Sequence, residues 1–378
     1  MSVDVRPVKT KSELKSFVKL PWRLYRNEPL WVPPLIHDRM KFLDRSKNPF
    51  FEHAEAEYFL AYRNGEPVGR ITAHVDHLLN EVHGTEWGQF GFFETEDDPQ
   101  VAKALLDTAE AWLRERGRDR MVGPMDFSTN HECGLLVDGF ERPPQILELW
   151  HHPYYGKLLE EWGLAKAMDL YKWQLYIQDR EKVHPIIWQL AEKLEPEHGI
   201  RIRHMSKRDF KNEVKRFMDV YNSAWEKNWA FVPLTDAELV QYAKDLRPVL
   251  DPNWAMMAEN GDGEIVGCAL TLPDYNQVLK HLDGRLLPLG WLKALRKRKE
   301  INTVRVFALG VKPEYQHTGV AAGLYAEHFA MAAATPQTGG EMGWILESNT
   351  AMNKAMEGMG GKIVKTYRIY EKTFRPGG

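Results

Sequence analysis

The order of apolar and polar positions along the chain predicts a protein that combines strands and helices. Apolar residues recur at helical spacing in VAKALLDTAEAWLRERG (101–117) and in VAAGLYAEHFAMAAA (320–334). Gly117 follows the first of these segments, at the position where glycine commonly ends a helix. A short apolar run typical of a buried strand comes next in each case, RMVGPMD (120–126) or EMGWILES (341–348). The same helix–strand order therefore occurs twice.

Two further pairs of segments repeat at nearly one spacing. YRNGEPVGRI (62–71) resembles NGDGEIVGCAL (260–270), and both have the composition of a hairpin turn between strands. LLEEWGLAKAMDLYKWQLY (158–176) resembles AMEGMGGKIVKTYRIYEK (355–372). The first pair aligns Gly69 with Gly267, 198 residues apart, and the second aligns Gly163 with Gly360, 197 residues apart. A common spacing indicates a duplicated domain.

We therefore predict an α/β (α+β) protein of two domains, residues 1–180 and 198–378, each with a mixed central sheet flanked by helices. The two copies differ by inserts of about 21 residues, NQVLKHLDGRLLPLGWLKALRKRK (276–299) in the second copy and FSTNHECGLLVDGFERPPQ (127–145) in the first. Loops of this length are uncommon unless they are functional or have structure of their own. We expect these inserts to act as lids near the active site.

Composition narrows the class of protein. The 378 residues are 43% hydrophobic and 27% charged, which is an ordinary globular balance. A formal net charge of −3 gives no support for nucleic-acid binding. Two cysteines are too few for a disulfide framework, and no apolar run has the length of a signal peptide or a membrane span. We expect a cytoplasmic protein with no membrane partner, and the sequence leaves a homodimer open.

Two groups of charged or metal-ligating residues have structural interpretations. His131, Cys133, His151 and His152 match no zinc-binding spacing, so no metal site is expected. The basic run WLKALRKRKEIN (291–302) could contact phosphates or an acidic partner, but a solvated helix face is the favoured interpretation.

The clearest candidate for chemistry is the junction between a predicted strand and the second helix. There VKPEYQHTGVAAGLYAEHFA (311–330) passes from an apolar strand through Pro313 to an alanine-rich helix. Backbone N–H groups at a helix start, together with the helix dipole, form a site for phosphate. Gly319 lets an anion approach the backbone, and Val320 and Ala321 are small. An ordinary helix start is the structural alternative.

The segment LGVKPEYQHTGVAAGLYAEHFA resembles the acyl-CoA-binding motif [QR]-x-x-G-x-[GA] of the GNAT superfamily of N-acyltransferases. ESNTAMNKAMEGMGGKIVKTYRIYEK is similar to the closing segment of that family. The resemblance covers about residues 200–372 and, more weakly, 1–176. It implies two GNAT-like domains with splayed central sheets, and an acyl-CoA-dependent N-acyltransferase with acetyl-CoA as the expected donor and a small amine or amino-acid-like acceptor.

The resemblance also implies the positions of the cofactor contacts. The backbone from Gln316 to Ala321 would hold the pyrophosphate of coenzyme A, the preceding strand would pair with the pantetheine arm, and an asparagine after the next strand would lie near the thioester. These residues are Leu309, Gly310, Val311, Gln316, His317, Thr318, Gly319, Val320, Ala321 and Asn349.

The first copy lacks this motif. In FGFFETEDDPQVAKALL it has no glycine at the helix start and presents Glu94, Glu96, Asp97 and Asp98 instead. Four carboxylates would repel a pyrophosphate. We therefore expect coenzyme A to bind only the C-terminal copy.

The usual acid and base of the family are missing from the second copy as well. Met356 occupies the position of the tyrosine that protonates the thiolate in many members, and Arg305 that of the glutamate used by others. Glu347 is our candidate base and Tyr367 our candidate acid, with a solvated carboxylate and a core tyrosine as the structural alternatives. Direct transfer remains feasible, because positioning the amine and the thioester supplies much of the acceleration.

The aromatic segment YNSAWEKNWAFVPLT (221–235) is the candidate acceptor pocket, with Trp225, Asn228 and Trp229 as predicted substrate contacts; core packing is the equal alternative. A Fem-like aminoacyltransferase and a non-catalytic acyl-CoA-binding protein are the alternative functions. The second copy's intact motif and the absence of a long basic arm weigh against the Fem-like one.

Overall fold

The computed structural model describes residues 2–374, which form two compact units. Unit 1 comprises residues 2–170, Leu279–Ala294 and 365–374, and unit 2 comprises Tyr171–Val278 and Leu295–Val364.

The first part of the chain alternates strands and helices in the order expected for one copy. Its elements are β1 (Asp4–Pro7), α1 (Lys11–Leu24), α2 (Ile36–Phe42), β2 (Ala54–Arg63), β3 (Glu66–Asp76), α3 (His77–His83), β4 (Trp87–Thr95), α4 (Pro99–Arg114), β5 (Arg120–Gly123), β6 (Leu135–Asp138), α5 (Tyr154–Trp162) and β7 (Ala165–Tyr176).

The second part repeats this order with extra helices. Its elements are α6 (Pro185–His198), β8 (Arg201–His204), α7 (Phe210–Trp225), α8 (Asp236–Leu246), β9 (Ala255–Glu259), β10 (Ile265–Pro273), α9 (Asn276–Leu279), α10 (Gly290–Lys297), β11 (Val304–Val311), α11 (Val320–Ala334), β12 (Gly339–Leu346), α12 (Thr350–Gly358) and β13 (Lys362–Thr373).

The sheet of unit 1 has the strand order β1-β2-β3-β4-β5 and continues into the second half of β13. Neighbours are antiparallel except β4 and β5, which run parallel from Trp87 opposite Arg120 to Gln89 opposite Val122. Helix α4 packs on one face of this sheet, with Val101, Leu105, Ala109 and Leu113 buried. The result is a mixed sheet covered by helices, as the sequence predicts.

The sheet of unit 2 has the order β8-β9-β10-β11-β12 and continues into the second half of β7. From β8 to β11 the neighbours are antiparallel, whereas β11 and β12 run parallel, from Val304 opposite Gly340 to Val306 opposite Met342. Helix α11 lies on this sheet and buries Leu324 and Phe329. Unit 2 therefore has the strand directions of unit 1.

The repeated glycines have the same structural role in the two units. A Cβ atom on Gly69 would lie 2.8 Å from Cδ1 of Leu105 in α4, and one on Gly267 would lie 2.5 Å from Cγ1 of Val320 in α11. Only glycine permits the helix to approach the strand this closely. Gly163 and Gly360 follow α5 and α12 with φ values of 104° and 75°, in the left-handed region that ends a helix. The glycines that repeat in the sequence are thus those needed for close packing of a helix on a strand and for ending a helix.

The compact units do not follow the boundary predicted from the sequence. The second half of β7, from Tyr171 onward, belongs to unit 2, and most of β13, from Lys365 onward, belongs to unit 1, where Tyr370 pairs with Gly123. Both inserts also contribute to unit 1: residues 127–145 lie wholly in it, and Leu279–Ala294 from the second insert join it. The repeat in the sequence and the packed unit differ because the closing strand of each copy ends in the unit of the other copy. In the described part of the chain, no helix combines the length and the apolar character needed to cross a membrane.

Candidate active site in unit 2

The strand–loop–helix predicted from the sequence is present. β11 ends at Val311, α11 begins at Val320, and residues 312–319 connect them through a short 3-10 turn at Pro313–Tyr315. In unit 1 the corresponding connection between β4 and α4 is only residues 96–98. Unit 2 therefore has a longer loop at the place where the family motif holds the pyrophosphate.

The start of α11 presents a set of backbone donors. Among residues 2–374, none accepts a hydrogen bond from the backbone N–H of His317, Gly319, Val320, Ala321 or Ala322. Nor does any side chain cap this helix, because its N-cap residue is Gly319. Uncapped N–H groups at the positive end of a helix dipole favour an anion.

Gly319 has a φ of +86°, which an L-amino acid adopts only at a cost. A Cβ atom on it would also lie 3.2 Å from the carbonyl oxygen of Leu190 in α6. The glycine of the motif is therefore required by backbone conformation as well as by the space around it.

A β-bulge lies in β11 just before this loop. Ala308 pairs with Leu270 of β10, but Thr271 pairs with Val306, so Phe307 is the additional residue. Pairing with β12 stops at Val306 opposite Met342. A bulge bends its strand, so β11 and β12 diverge from this point. Their divergence gives unit 2 the cleft in which a pantetheine arm could add to the edge of β11.

Buried charges surround the point of divergence. Lys172 Nζ donates to the Gly343 carbonyl oxygen at 2.7 Å, and the Arg305 guanidinium lies 3.3 Å from the same oxygen. Glu341, the strand partner of Arg305, is also buried. Arg305, which takes the place of a family glutamate in the sequence comparison, contacts the carbonyl of Gly343 within β12, one residue beyond the last pair with β11. Lys172 gave no signal in the sequence, because a lysine in a closing strand usually faces solvent.

The equivalent position in unit 1 is closed by polypeptide. Met125 N donates to the Phe90 carbonyl oxygen at 2.8 Å, and Phe92 N donates to Asp126 Oδ1 at 2.9 Å. A Cβ atom on Gly91 would lie 1.8 Å from the Met125 carbonyl oxygen. Residues after β5 thus occupy the edge of β4 that a pantetheine arm would need.

The acidic segment of unit 1 differs from its predicted character. Glu94 is buried and accepts hydrogen bonds from Tyr25 and Tyr155, and burial raises its pKa. Glu96 pairs with Arg23 at 2.6 Å, and Asp98 pairs with Arg63 at 2.7 Å while capping α4. Of the four carboxylates, Glu94 is buried and Glu96 and Asp98 are paired with arginines, so the repulsion of a pyrophosphate by this segment stays a prediction. The short loop, the Asp98 cap and the occupied strand edge are what distinguish unit 1.

Of the predicted acceptor residues, Trp225 lies directly on the candidate cofactor strand. It ends α7, and a Cβ atom on Gly310 would lie 2.4 Å from its Cζ3 atom. The Tyr221 ring lies 4.6 Å from the Trp225 ring, centroid to centroid. Asn228 belongs to the following turn, where its N–H donates to the Trp225 carbonyl. Trp229 is half-buried beside it.

The residues predicted to act in catalysis or near the thioester do not form one cluster. Glu347 is half-buried at the end of β12, and Asn349 Oδ1 accepts a hydrogen bond from Met352 N to cap α12. Met356 is fully buried in the core of unit 2. Tyr367 lies in unit 1, where its hydroxyl donates to the Leu149 carbonyl oxygen at 2.8 Å. Its hydroxyl is thus already engaged in a buried structural hydrogen bond.

An apolar cavity of about 60 Å³ extends under α11 in unit 2. Its floor includes Val304 and Val306 of β11 and Met342 of β12, the last paired positions before the strands diverge. Its walls are formed by Trp254, Tyr325, Phe329, Ala332 and Met359. His328 also faces it; burial lowers the pKa of this histidine to about 4, so it is neutral. The cavity could not be predicted from the sequence, since the residues that line it have the pattern of ordinary core.

A bulged strand, a diverging parallel partner and a glycine-bearing loop into a helix define the GNAT class of acyltransferase folds. The Acetyltransferase (GNAT) family model matches residues 17–129, which lie in unit 1. The chain spans whole proteins of this class, as the similarities below show, and it belongs to the GNAT family as a tandem-domain member.

Two curated proteins are similar along their whole length. The "Bacterial ceramide synthase" of Caulobacter vibrioides is 40% identical, over 98% of this chain and 97% of its own. "Protein YghO" of Escherichia coli is 35% identical, over 97% of this chain and 95% of its own.

Solved structures agree on the fold. A tandem GNAT protein from the clavulanic acid biosynthesis pathway covers 100% of both chains with a TM-score of 0.60 at 10% identity. A GCN5-related N-acetyltransferase from Sphaerobacter thermophilus covers 99% of this chain and 96% of its own with a TM-score of 0.54 at 13% identity.

Proposed function

We propose that this protein is an acyl-CoA-dependent N-acyltransferase that transfers a fatty acyl group to the amine of a long-chain amino alcohol, with unit 2 as the working domain. The observation that carries the proposal is the combination of free backbone donors at Gly319–Ala322 with the cleft beside β11. The whole-length similarity to a ceramide synthase supports the class of acceptor and of acyl chain.

Coenzyme A would bind with its pyrophosphate at the N-terminus of α11 and its pantetheine arm along Leu309–Val311. From the pyrophosphate to the thioester, the pantetheine arm would run antiparallel to β11. The thioester would therefore lie near the bulge at Phe307. The apolar cavity begins at the last paired residues beyond this bulge, and an apolar lining favours a hydrocarbon chain. The apolar lining and the whole-length similarity to a ceramide synthase are the two observations that favour a fatty acyl donor over the acetyl group expected from the sequence.

The reaction would be a direct transfer. The neutral amine attacks the thioester carbonyl carbon, a C–N bond forms, and the C–S bond breaks as the tetrahedral intermediate collapses. The nitrogen loses one proton, for which Glu347 remains the candidate acceptor, and the departing thiolate takes up a proton. Holding the two reactants in line supplies much of the acceleration, and a positioned base adds about 10² to 10⁴-fold.

The test is to incubate the purified full chain with palmitoyl-CoA or acetyl-CoA and a long-chain amino alcohol in detergent micelles. We expect an amide product by mass spectrometry, equimolar release of free coenzyme A, and a higher kcat/KM for palmitoyl-CoA. A higher kcat/KM for acetyl-CoA than for palmitoyl-CoA would show that the donor is acetyl-CoA and would contradict the proposed fatty acyl donor. Binding of coenzyme A without any amide product from either donor would contradict the proposed reaction.

A further inference from the structure

We infer that the segment Leu286–Lys299 is a membrane-docking surface that binds the face of an anionic lipid bilayer. This inference concerns an interaction surface and does not depend on the reaction proposed above. It rests on exposed apolar side chains, their arrangement on a helix, the charge of the segment and its attachment to unit 1.

Exposed large apolar side chains are concentrated in this segment. Its six members are Leu286 (40% exposed), Leu287 (77%), Leu289 (69%), Trp291 (46%), Leu292 (49%) and Leu295 (47%). Elsewhere in residues 2–374, the exposed large hydrophobics are Val82, Val240 and Ile363, each alone in the sequence, and the pair Ile186 and Leu190 on α6. Isolated apolar side chains at a surface are normal, but a contiguous group marks an interaction site.

Helix α10 turns its apolar side away from the protein. Gly290, Ala294 and Lys297 are half-buried, so the face that they share at helical spacing is directed inward. Trp291, Leu292 and Leu295 lie roughly 100–200° around the helix from Gly290. They form an outward stripe, and Arg296 and Lys293 lie along one side of it, at roughly 240° and 300° from Gly290.

The charge of the segment indicates which partner it would meet. Lys293, Arg296, Arg298 and Lys299 carry positive charge, and no described residue forms an ion pair with them. The protein as a whole has a formal net charge of −3, so this is a local excess of positive charge. Basic residues beside Leu and Trp on one helix are typical of helices that lie in the headgroup layer of anionic membranes.

The segment is held in place at its base. Trp22 Nε1 donates to Asp283 Oδ1 at 2.8 Å, and Ile36 N donates to the Gly284 carbonyl oxygen at 3.0 Å. Leu282 is buried next to them. These contacts lie within unit 1 and hold Leu286, Leu287 and Leu289, which follow in the same unit, in a fixed arrangement, which reduces the entropy lost on binding.

The test is cosedimentation of the full chain with vesicles of phosphatidylglycerol and phosphatidylethanolamine, with phosphatidylcholine vesicles as the uncharged comparison. We expect binding to the anionic vesicles. The variant Leu287→Gln/Leu289→Gln/Leu292→Gln should bind at least tenfold more weakly, because each leucine loses its transfer into the interface. The matched control is Val82→Gln/Val240→Gln/Ile363→Gln, which removes exposed apolar side chains elsewhere and should bind as wild type does.

A charge variant separates the electrostatic part. Lys293→Gln/Arg296→Gln/Lys299→Gln should weaken binding at low salt about a hundredfold, at about fivefold for each charge, and should reduce the salt dependence. Both native cysteines are buried, so Leu292→Cys can be labelled selectively with an environment-sensitive fluorophore. Its emission should shift to the blue only when anionic vesicles are added.

Three outcomes would overturn the inference. They are equal binding of the wild type and the leucine variant, no binding of the wild type to anionic vesicles, and a blue shift without vesicles accompanied by a dimer in sedimentation velocity. The last result would assign the surface to a second copy of this chain.

Discussion

Gly319 is the residue at which the cofactor proposal can be tested most directly. If coenzyme A binds at the start of α11, a concentration of a hundred times Kd stabilises the folded state by about 2.7 kcal/mol. A unit of 150–250 residues changes its Tm by roughly 2–4 °C per kcal/mol, so we expect coenzyme A to raise Tm by about 5–11 °C.

Two substitutions separate strain from charge. Gly319→Ala retains the +86° φ and adds only a Cβ atom near the Leu190 carbonyl. The left-handed conformation costs about 1–2 kcal/mol, so the unliganded Tm should fall by about 2–8 °C while part of the rise with coenzyme A remains. Gly319→Glu adds a carboxylate near the pyrophosphate. The two negative charges of the pyrophosphate would lie about 6 Å from this carboxylate. At an effective dielectric constant between about 20 and 80, the repulsion is about 1–5 kcal/mol.

Differential scanning calorimetry of the full chain, with and without coenzyme A, distinguishes these effects. Relative to Gly319→Ala, the rise in Tm for Gly319→Glu should fall by half or more at the same coenzyme A concentration. The reasoning would be refuted if Gly319→Glu kept the full wild-type rise, since the pyrophosphate could then not lie at this helix start.

Three other substitutions address the site and the fold. His317→Glu should raise the Kd for coenzyme A several-fold, measured by isothermal titration calorimetry, whereas His317→Gln should change it little. Position 317 is exposed, so the glutamate adds a negative charge beside the N–H donors without altering packing, and the glutamine adds no charge. Equal effects of the two substitutions would show that charge is not involved. Ala332→Phe should fill the cavity under α11 and lower kcat/KM for palmitoyl-CoA at least tenfold while leaving acetyl-CoA turnover within about threefold; equal losses for the two donors would exclude the cavity as the acyl site. Burial raises the pKa of Asp126 to about 7, with Glu132 adding to the rise and Arg39 opposing it. Because the folded state binds the proton more tightly than the unfolded chain, this group destabilises the protein progressively as pH rises from about 4 to about 7, by at most about 4 kcal/mol. Asp126→Asn keeps an acceptor for Phe92 N and should therefore flatten the fall in Tm between pH 5 and pH 8; an unchanged slope would assign it to other groups.

Local features of the candidate site could be predicted from the sequence, because neighbouring residues encode them. The passage from β11 to α11 requires a strand pattern, a turn and a glycine with positive φ, and all three occur within residues 304–334. The spacing of Gly69 and Gly267 likewise preserved the close packing of helix on strand in two copies. Periodicity and glycine positions are therefore sufficient for the order of elements and for the copy that carries the motif.

Only the tertiary structure decided which side chains and strand edges are covered. Glu94 reads as a solvated carboxylate but is buried by Tyr25 and Tyr155, which are 69 and 61 residues away in the chain. The edge of β4 is occupied by Met125, whereas within residues 2–374 the pairing of β11 with β12 ends at Val306. The leucines at 287 and 289 resemble core residues in sequence, yet they remain exposed. Burial depends on contacts between residues distant in sequence, and a local pattern does not specify those partners.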